Sequence, residues 1–173
     1  MKIRSILIFC FFLAPLTLKA ACIGIHLEHA ITVEEKEWGL MNRDSLPEGK
    51  GMLFHYSKPQ IIYIWAFNCK IDLSVAFLDE EGTIIDLQEL KAYPQKMDPQ
   101  RPITTRRDFT LYPPNDPLVV HFMTESISSR RPAKYALEVP SGWFKRMGIE
   151  VGDQLRWKGD RGFITAQRAI QEF

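Results

Sequence analysis

The sequence predicts a mainly β fold, bordering on α+β: a small antiparallel β-barrel with two short helices and a long proline-rich insertion. Three observations carry this. Short runs of β-branched and aromatic residues recur between Gly, Asp and Pro turn signals, and one of them, Ile71-Asp72-Leu73-Ser74-Val75-Ala76-Phe77, alternates with the period of a strand. Helix-end signals mark only two segments. Seven of the 11 prolines (Pro94, Pro99, Pro102, Pro113, Pro114, Pro117 and Pro132) fall between Lys91 and Lys134, so that stretch reads as an excursion outside the core.

Residues 1–20, MKIRSILIFCFFLAPLTLKA, combine basic residues at Lys2 and Arg4, an apolar run from Ile6 to Leu13 and a small residue at Ala20. This is the pattern of a secretory signal peptide, too short to span a bilayer. A second cleavage site lies before Cys22, which would make that cysteine a lipid anchor, although Lys19 replaces the apolar residue such a site prefers. Either cut places the protein outside the cytoplasm, periplasmic, secreted or lipid-anchored to the envelope, with no transmembrane span. Residues 21–173 then form one domain, with 91–134 as the insertion and 158–173 as a C-terminal appendage. Three of the 22 basic residues (Lys2, Arg4 and Lys19) and none of the 21 acidic ones precede the cut, which leaves a formal −2. A near-neutral exported chain has no electrostatic reason to seek nucleic acid. Cys10 leaves with the signal. Cys22 and Cys69 remain, as a possible disulfide or as one buried and one terminal thiol.

Thr32-Val33-Glu34-Glu35 is a capping box, so a helix begins at Val33. Val33, Leu40 and Met41 share one face of it, with Gly39 marking a close approach by another backbone. Asn42 to Lys50 turns through Pro47 and Gly49 into a strand at Met52-Leu53-Phe54. The clusters Gly39-Leu40-Met41 and Gly51-Met52-Leu53 are thereby expected to meet, their methionines filling a gap between layers. Ile61 to Phe67 is apolar on both faces and reads as a buried central strand. Asp79 to Gly82 forms a hairpin turn between Ile71–Phe77 and Thr83–Leu87, and these strands make an antiparallel meander. In the insertion, Phe109–Tyr112 and Leu118–Phe122 read as an outlying hairpin, and Arg101, Arg106, Arg107, Arg130 and Arg131 as solvated charges or a face for an acidic partner. Tyr135–Val139 is a strand, Trp143–Met147 a helix with Gly148 as its left-handed cap, and Gly152-Asp153 a turn into the strand Gln154–Trp157.

Three segments in this order, Gly39-Leu-Met-Asn-Arg-Asp-Ser-Leu-Pro-Glu-Gly-Lys-Gly-Met-Leu-Phe54, Trp65-Ala-Phe-Asn68, and Tyr135-Ala-Leu-Glu-Val-Pro-Ser-Gly-Trp-Phe-Lys-Arg-Met-Gly-Ile-Glu-Val-Gly-Asp153, closely resemble the family called domain of unknown function 192. The resemblance covers about residues 25 to 157 outside the insertion. It implies a small β-barrel, often exported, and no established activity. Where the family usually reads Trp-Met-Lys-Asn-Thr this chain has Trp65-Ala66-Phe67-Asn68-Cys69, and where it usually reads Ile-Pro-Leu-Asp this chain has Ile71-Asp72-Leu73-Ser74. Any chemistry of that lysine and aspartate is lost here, unless Asp72 stands in for the latter. More loosely, Val139 to Leu155 resembles the swapped-hairpin barrels of some DNA-binding regulators, a likeness that generic turns also produce.

The sharpest candidate site joins Arg43, Trp65 and Asn68 at one rim, where a guanidinium, an aromatic face and an amide can grip a small polar ligand or a carboxylate. Asp72 and Ser74 lie next along the chain, and an enzyme, hydrolase-like or other, would use Asn68, Asp72 and Ser74. Neither Ser74 nor Cys69 has an evident activating base. His26 and His29 point to opposite faces of an extended strand, and His55 and His121 are isolated, so no metal centre is expected from them. Met41, Met52 and Cys69 could hold a soft metal but serve better as packing. The sequence therefore points to a non-catalytic binding or accessory module with no cofactor, whose partner is a small ligand or another envelope protein.

Overall fold

The computed structural model describes residues 22–166. Seven strands form one curled sheet: β1 (Cys22–Ala30), β2 (Lys50–Gln60), β4 (Leu73–Leu78), β5 (Ile84–Leu90), β7 (Ala133–Pro140), β8 (Gln154–Lys158) and β9 (Arg161–Thr165), in the spatial order β5-β4-β7-β2-β1-β9-β8. The outer strands touch at one end, where Thr83 bridges Gln154 and the Leu155 amide donates to the Gly82 carbonyl at 2.9 Å. The result is a curled half-barrel, in keeping with the mainly β fold expected. One apolar cluster draws on all seven strands (Ile25, Leu27, Leu53, Ala76, Leu78, Ile84, Leu137, Leu155 and Ile164 among them) and so lies inside the curl. Helix α3 (Trp143–Met147) seals that interior with Trp143 and Phe144, and Gly148 caps it at φ 66° as the sequence implies. Asp79, Gly82 and Thr83 make the expected β4–β5 turn.

The sheet is not a simple meander, because β1 and β2 run parallel. Helix α1 (Val33–Trp38) and the loop after it return the chain to the same end, which a parallel pair requires. The capping box is present: the Glu35 amide donates to the Thr32 hydroxyl at 3.1 Å, and the Thr32 amide donates to the Glu35 carboxylate at 2.9 Å. Gly39 ends this helix instead of lying within it. It sits at φ 46°, and a Cβ there would stand 3.3 Å from the Phe54 ring, so a side chain rather than a backbone makes the close approach. The strict backbone approach is at Gly51, where a Cβ would lie 2.7 Å from the Glu138 carbonyl oxygen of β7. Met41 and Met52 do not share a gap, since they belong to different apolar clusters.

Three further expectations change. Ile61–Phe67 is not a central strand: only β3 (Tyr63–Ile64) is extended, paired with β6 (Ile127–Ser128), and the segment covers the outer face of the sheet. An apolar run is equally a strand in a sheet or a cover over one, and the sheet's middle is filled by β2 and β7. The outlying hairpin is helical, a 3₁₀ turn at Arg106–Leu111 followed by α2 (Pro117–Thr124). Asp116 caps α2 through the Leu118 amide at 2.8 Å with Pro117 in its first turn, a start signal that outweighs the β-branched residues after it. The appendage is in part β9, which pairs with both β1 and β8. Of the two alternatives for the cysteines, the structure has the unbridged one, with Cys22 an exposed and Cys69 a buried thiol. The expected signal, residues 1–20, lies outside the described residues.

Candidate functional site

In register across the sheet, Glu28 of β1 faces Met52 of β2, Met52 faces Glu138 of β7, and Glu138 faces Val75 of β4. Strand alternation puts this row on the outer face of the curl, with Phe54 and Tyr56 on the same side of β2. Two carboxylates thus share one face, and their environments differ. Arg43, carried in by the loop after α1, donates from both terminal nitrogens to the Glu28 oxygens at 2.6 Å, a bidentate pair at the edge of the protein. That hydrogen bonding holds the Glu28 carboxyl below its ordinary range.

Glu138 has no such partner. It is 4 % exposed, and among the described residues no hydrogen bond reaches its carboxyl. Burial pushes its pKa up to about 8, opposed only by the through-space charge of Arg43. The carboxyl opens into a cavity of about 270 Å³ between the sheet and its cover. Phe54 and Tyr56 of β2 form the floor, α1 and Leu40 one wall, and Ile64, Trp65 and Cys69 the other. Lys36 of α1 donates to the Ile31 carbonyl and lies 5.5 Å from the centre of the Tyr56 ring. Burial, then the Glu138 charge, raises the Tyr56 hydroxyl to about 12 and the Cys69 thiol well above the ordinary thiol range. Both side chains are therefore neutral, and Cys69 is not a poised nucleophile.

The residues expected at the rim divide. Trp65 lines the cavity and stacks on Phe67 at 4.9 Å between ring centres. With Tyr63, Met123 and Ser126 it also bounds a second, larger hollow of about 480 Å³. Asn68 does lie beside the Arg43 loop, because the Asn42 amide donates to the Asn68 carbonyl at 3.1 Å. Its own side-chain amide is used there, donating to Asn42 Oδ1 at 3.1 Å and to the Ile103 carbonyl at 3.2 Å. Both asparagines hold φ near 60°, conformations asparagine tolerates better than most residues. They fasten the cover to the excursion. Asp72 accepts from Lys91 at 2.6 Å and from the Ala92 amide at 2.8 Å. Ser74, buried in β4, donates to Glu89 at 2.5 Å and accepts from the Gly142 amide at 2.7 Å, tying α3 to the sheet. Asn68, Asp72 and Ser74 thus serve three separate sets of partners.

Among the excursion's arginines, Arg101 is not merely solvated. It bonds Asp98 at 2.8 Å and Asp116 at 2.5 Å and lies 4.4 Å from the Tyr112 ring centre. His29 and His55, on the inner face, meet at 2.8 Å, and among the described residues no three metal-ligating side chains cluster. Glu138 is the residue the sequence reading missed. A single acid within Tyr135-Ala136-Leu137-Glu138-Val139, a strand otherwise apolar, was the available signal.

A family model, DUF192, described as Uncharacterized ACR, matches residues 16–111 and 116–157, and so runs through much of the excursion that the motifs leave out. No curated protein shows a significant match. Two solved structures are similar in fold. One is a Sinorhizobium meliloti 1021 protein provisionally described as a transcription regulator, with TM-score 0.56 and 23 % identity over 80 % of this chain and 95 % of that one. The other is a protein of unknown function from Novosphingobium aromaticivorans DSM 12444, with TM-score 0.56 and 21 % identity over 83 % of this chain and 90 % of that one.

Proposed function

Because the chain belongs to the DUF192 family, whose name carries no activity, we propose its function from its own geometry: a non-catalytic module that binds a small ligand in the cavity over Glu138. One observation carries this reading. A carboxyl 4 % exposed, with no hydrogen-bond donor among the described residues and an opening into an aromatic-walled cavity, costs stability that a leucine or methionine at the same position would not. A ligand supplying the missing donor recovers that loss, which is the behaviour of a binding pocket. In this reading Trp65 is a wall of the cavity, and Arg43 lies outside it, paired with Glu28 and felt by Glu138 only through space. Asn68, Asp72 and Ser74 act as frame. The enzyme reading lacks support here: Cys69 is held as a neutral thiol, and Ser74 is committed to Glu89 and Gly142.

The charged, apolar and small-residue order of residues 1–20 supports export, which makes this a module of the cell envelope. Fractionation should find the shortened chain outside the cytoplasm; an uncut cytoplasmic chain contradicts export. For the pocket, a library of small fragments titrated into the labelled protein should shift the backbone signals of Leu40, Tyr56 and Ile64, and Trp65→Ala should weaken the hits. Hits that leave those three signals in place refute the assignment.

A further inference from the structure

Resting on the binding reading above, we infer that the ligand is a compact organic monocation, an ammonium group on an apolar or aromatic body, whose N–H donors meet Glu138.

The charges around the cavity lead to this class. On α1, Lys36 and Glu37 offset each other at the rim. Behind the sheet row, Arg43 and Glu28 are paired by two bonds of 2.6 Å. Tyr56 and Cys69 are neutral hydroxyl and thiol. An ionised Glu138 therefore leaves one negative charge without a counter-charge, in a site where desolvation makes that charge expensive. One ligand cation balances it, and an ammonium donates the charge-assisted hydrogen bonds that no described residue supplies. A ligand carboxylate would set two acids together, and a hydroxyl would give one neutral bond without the charge.

The walls fit the rest of such a molecule. Leu40, Phe54, Ile64 and Trp65 offer apolar and aromatic surface, and aromatic faces attract cations. The protein already places the Lys36 ammonium against one ring of the site, Tyr56. The cavity, about 270 Å³, lies at or below the small end of ordinary ligand pockets, so the body is about one ring or a short chain. Binding proceeds as exchange: the neutral Glu138 acid gives its proton to solvent, and the ammonium takes the vacated position beside the carboxylate. Affinity should then rise with pH up to the point at which free Glu138 is ionised, by at most about tenfold per pH unit.

Calorimetry with three probes of matched shape, 2-phenylethylamine, 2-phenylethanol and 3-phenylpropionate, tests this on the purified mature chain. The amine should bind at least about tenfold more tightly than the other two, and Glu138→Gln should reduce it to the level of the alcohol. If Glu138→Gln fails to fold, titration of the wild type at pH 7 in two buffers of different ionisation enthalpy serves instead, with release of a proton expected on amine binding. Equal affinities for amine and alcohol, or amine binding without proton release, overturn the ammonium assignment and leave the pocket reading standing. Binding of none of the probes, with no fragment shifting the Tyr56 and Ile64 signals, overturns both.

Discussion

Glu138→Gln should remove a large pH dependence from the stability of the protein. In the unfolded chain this carboxyl titrates at its ordinary 4.5, whereas burial in the fold raises it to about 8. Between those values the native chain holds a proton that the unfolded chain has released. The contribution is therefore complete below about pH 4.5 and is lost as pH rises through the folded value. At about 1.36 kcal/mol per pH unit, the full gap amounts to about 5 kcal/mol, and water entering the cavity reduces it toward about 3 kcal/mol. Urea unfolding of both proteins from pH 5 to pH 9 isolates the effect, because every other group titrates in both. Because part of the gap is already lost below pH 5, the wild type should lose about 2–4 kcal/mol relative to the variant across that range. A difference that stays flat would refute the reasoning, since it would mean that Glu138 ionises in the fold as freely as in water.

Three other outcomes follow from the packing. Gly51→Ala places a methyl 2.7 Å from the Glu138 carbonyl oxygen and 3.0 Å from the Leu137 and Val139 side chains, and should lower unfolding free energy by about 1–3 kcal/mol in urea titration. Ser74→Ala strips a buried partner from the Gly142 amide and from Glu89; a loss of about 1–3 kcal/mol is expected, with fragment binding at Trp65 unchanged. In the folded protein a thiol reagent should label Cys22 rapidly and Cys69 only on unfolding, and mass measurement without reductant should count two free thiols.

Much of the fold was legible because local signals agreed with the tertiary outcome. The capping box at Thr32, the Gly148 cap and the alternation of Ile71 to Phe77 each state their element within a few residues. What failed depended on distant partners. Nothing in Ile61 to Phe67 says whether its apolar residues enter a sheet or lie over one, and nothing in β9 announces that β1 needs a neighbour. The departure at Phe67 is instructive. The resembling motif usually has lysine there, and here the ring lies 1 % exposed among Trp65, Phe109, Tyr112 and Phe122, so it anchors the excursion to the cover. Proline content suggested a segment without a core of its own, whereas Phe67 supplies one. At the candidate site, Arg43 and Trp65 were visible as residue types suited to binding. Glu138 was hidden by its place in a motif that reads as strand, since its significance lies in what surrounds it: a paired Arg43, a neutral Cys69 and an absent hydrogen-bond donor.

The most direct test of the account is a carbon-13 titration of the glutamate side-chain carboxyls in the folded protein, with Glu138→Gln identifying its signal. One carboxyl should titrate near pH 8 and vanish in the variant. If every glutamate titrates in the ordinary carboxylate range, Glu138 already has the partner or the water that a ligand was inferred to provide, and the pocket is no binding site.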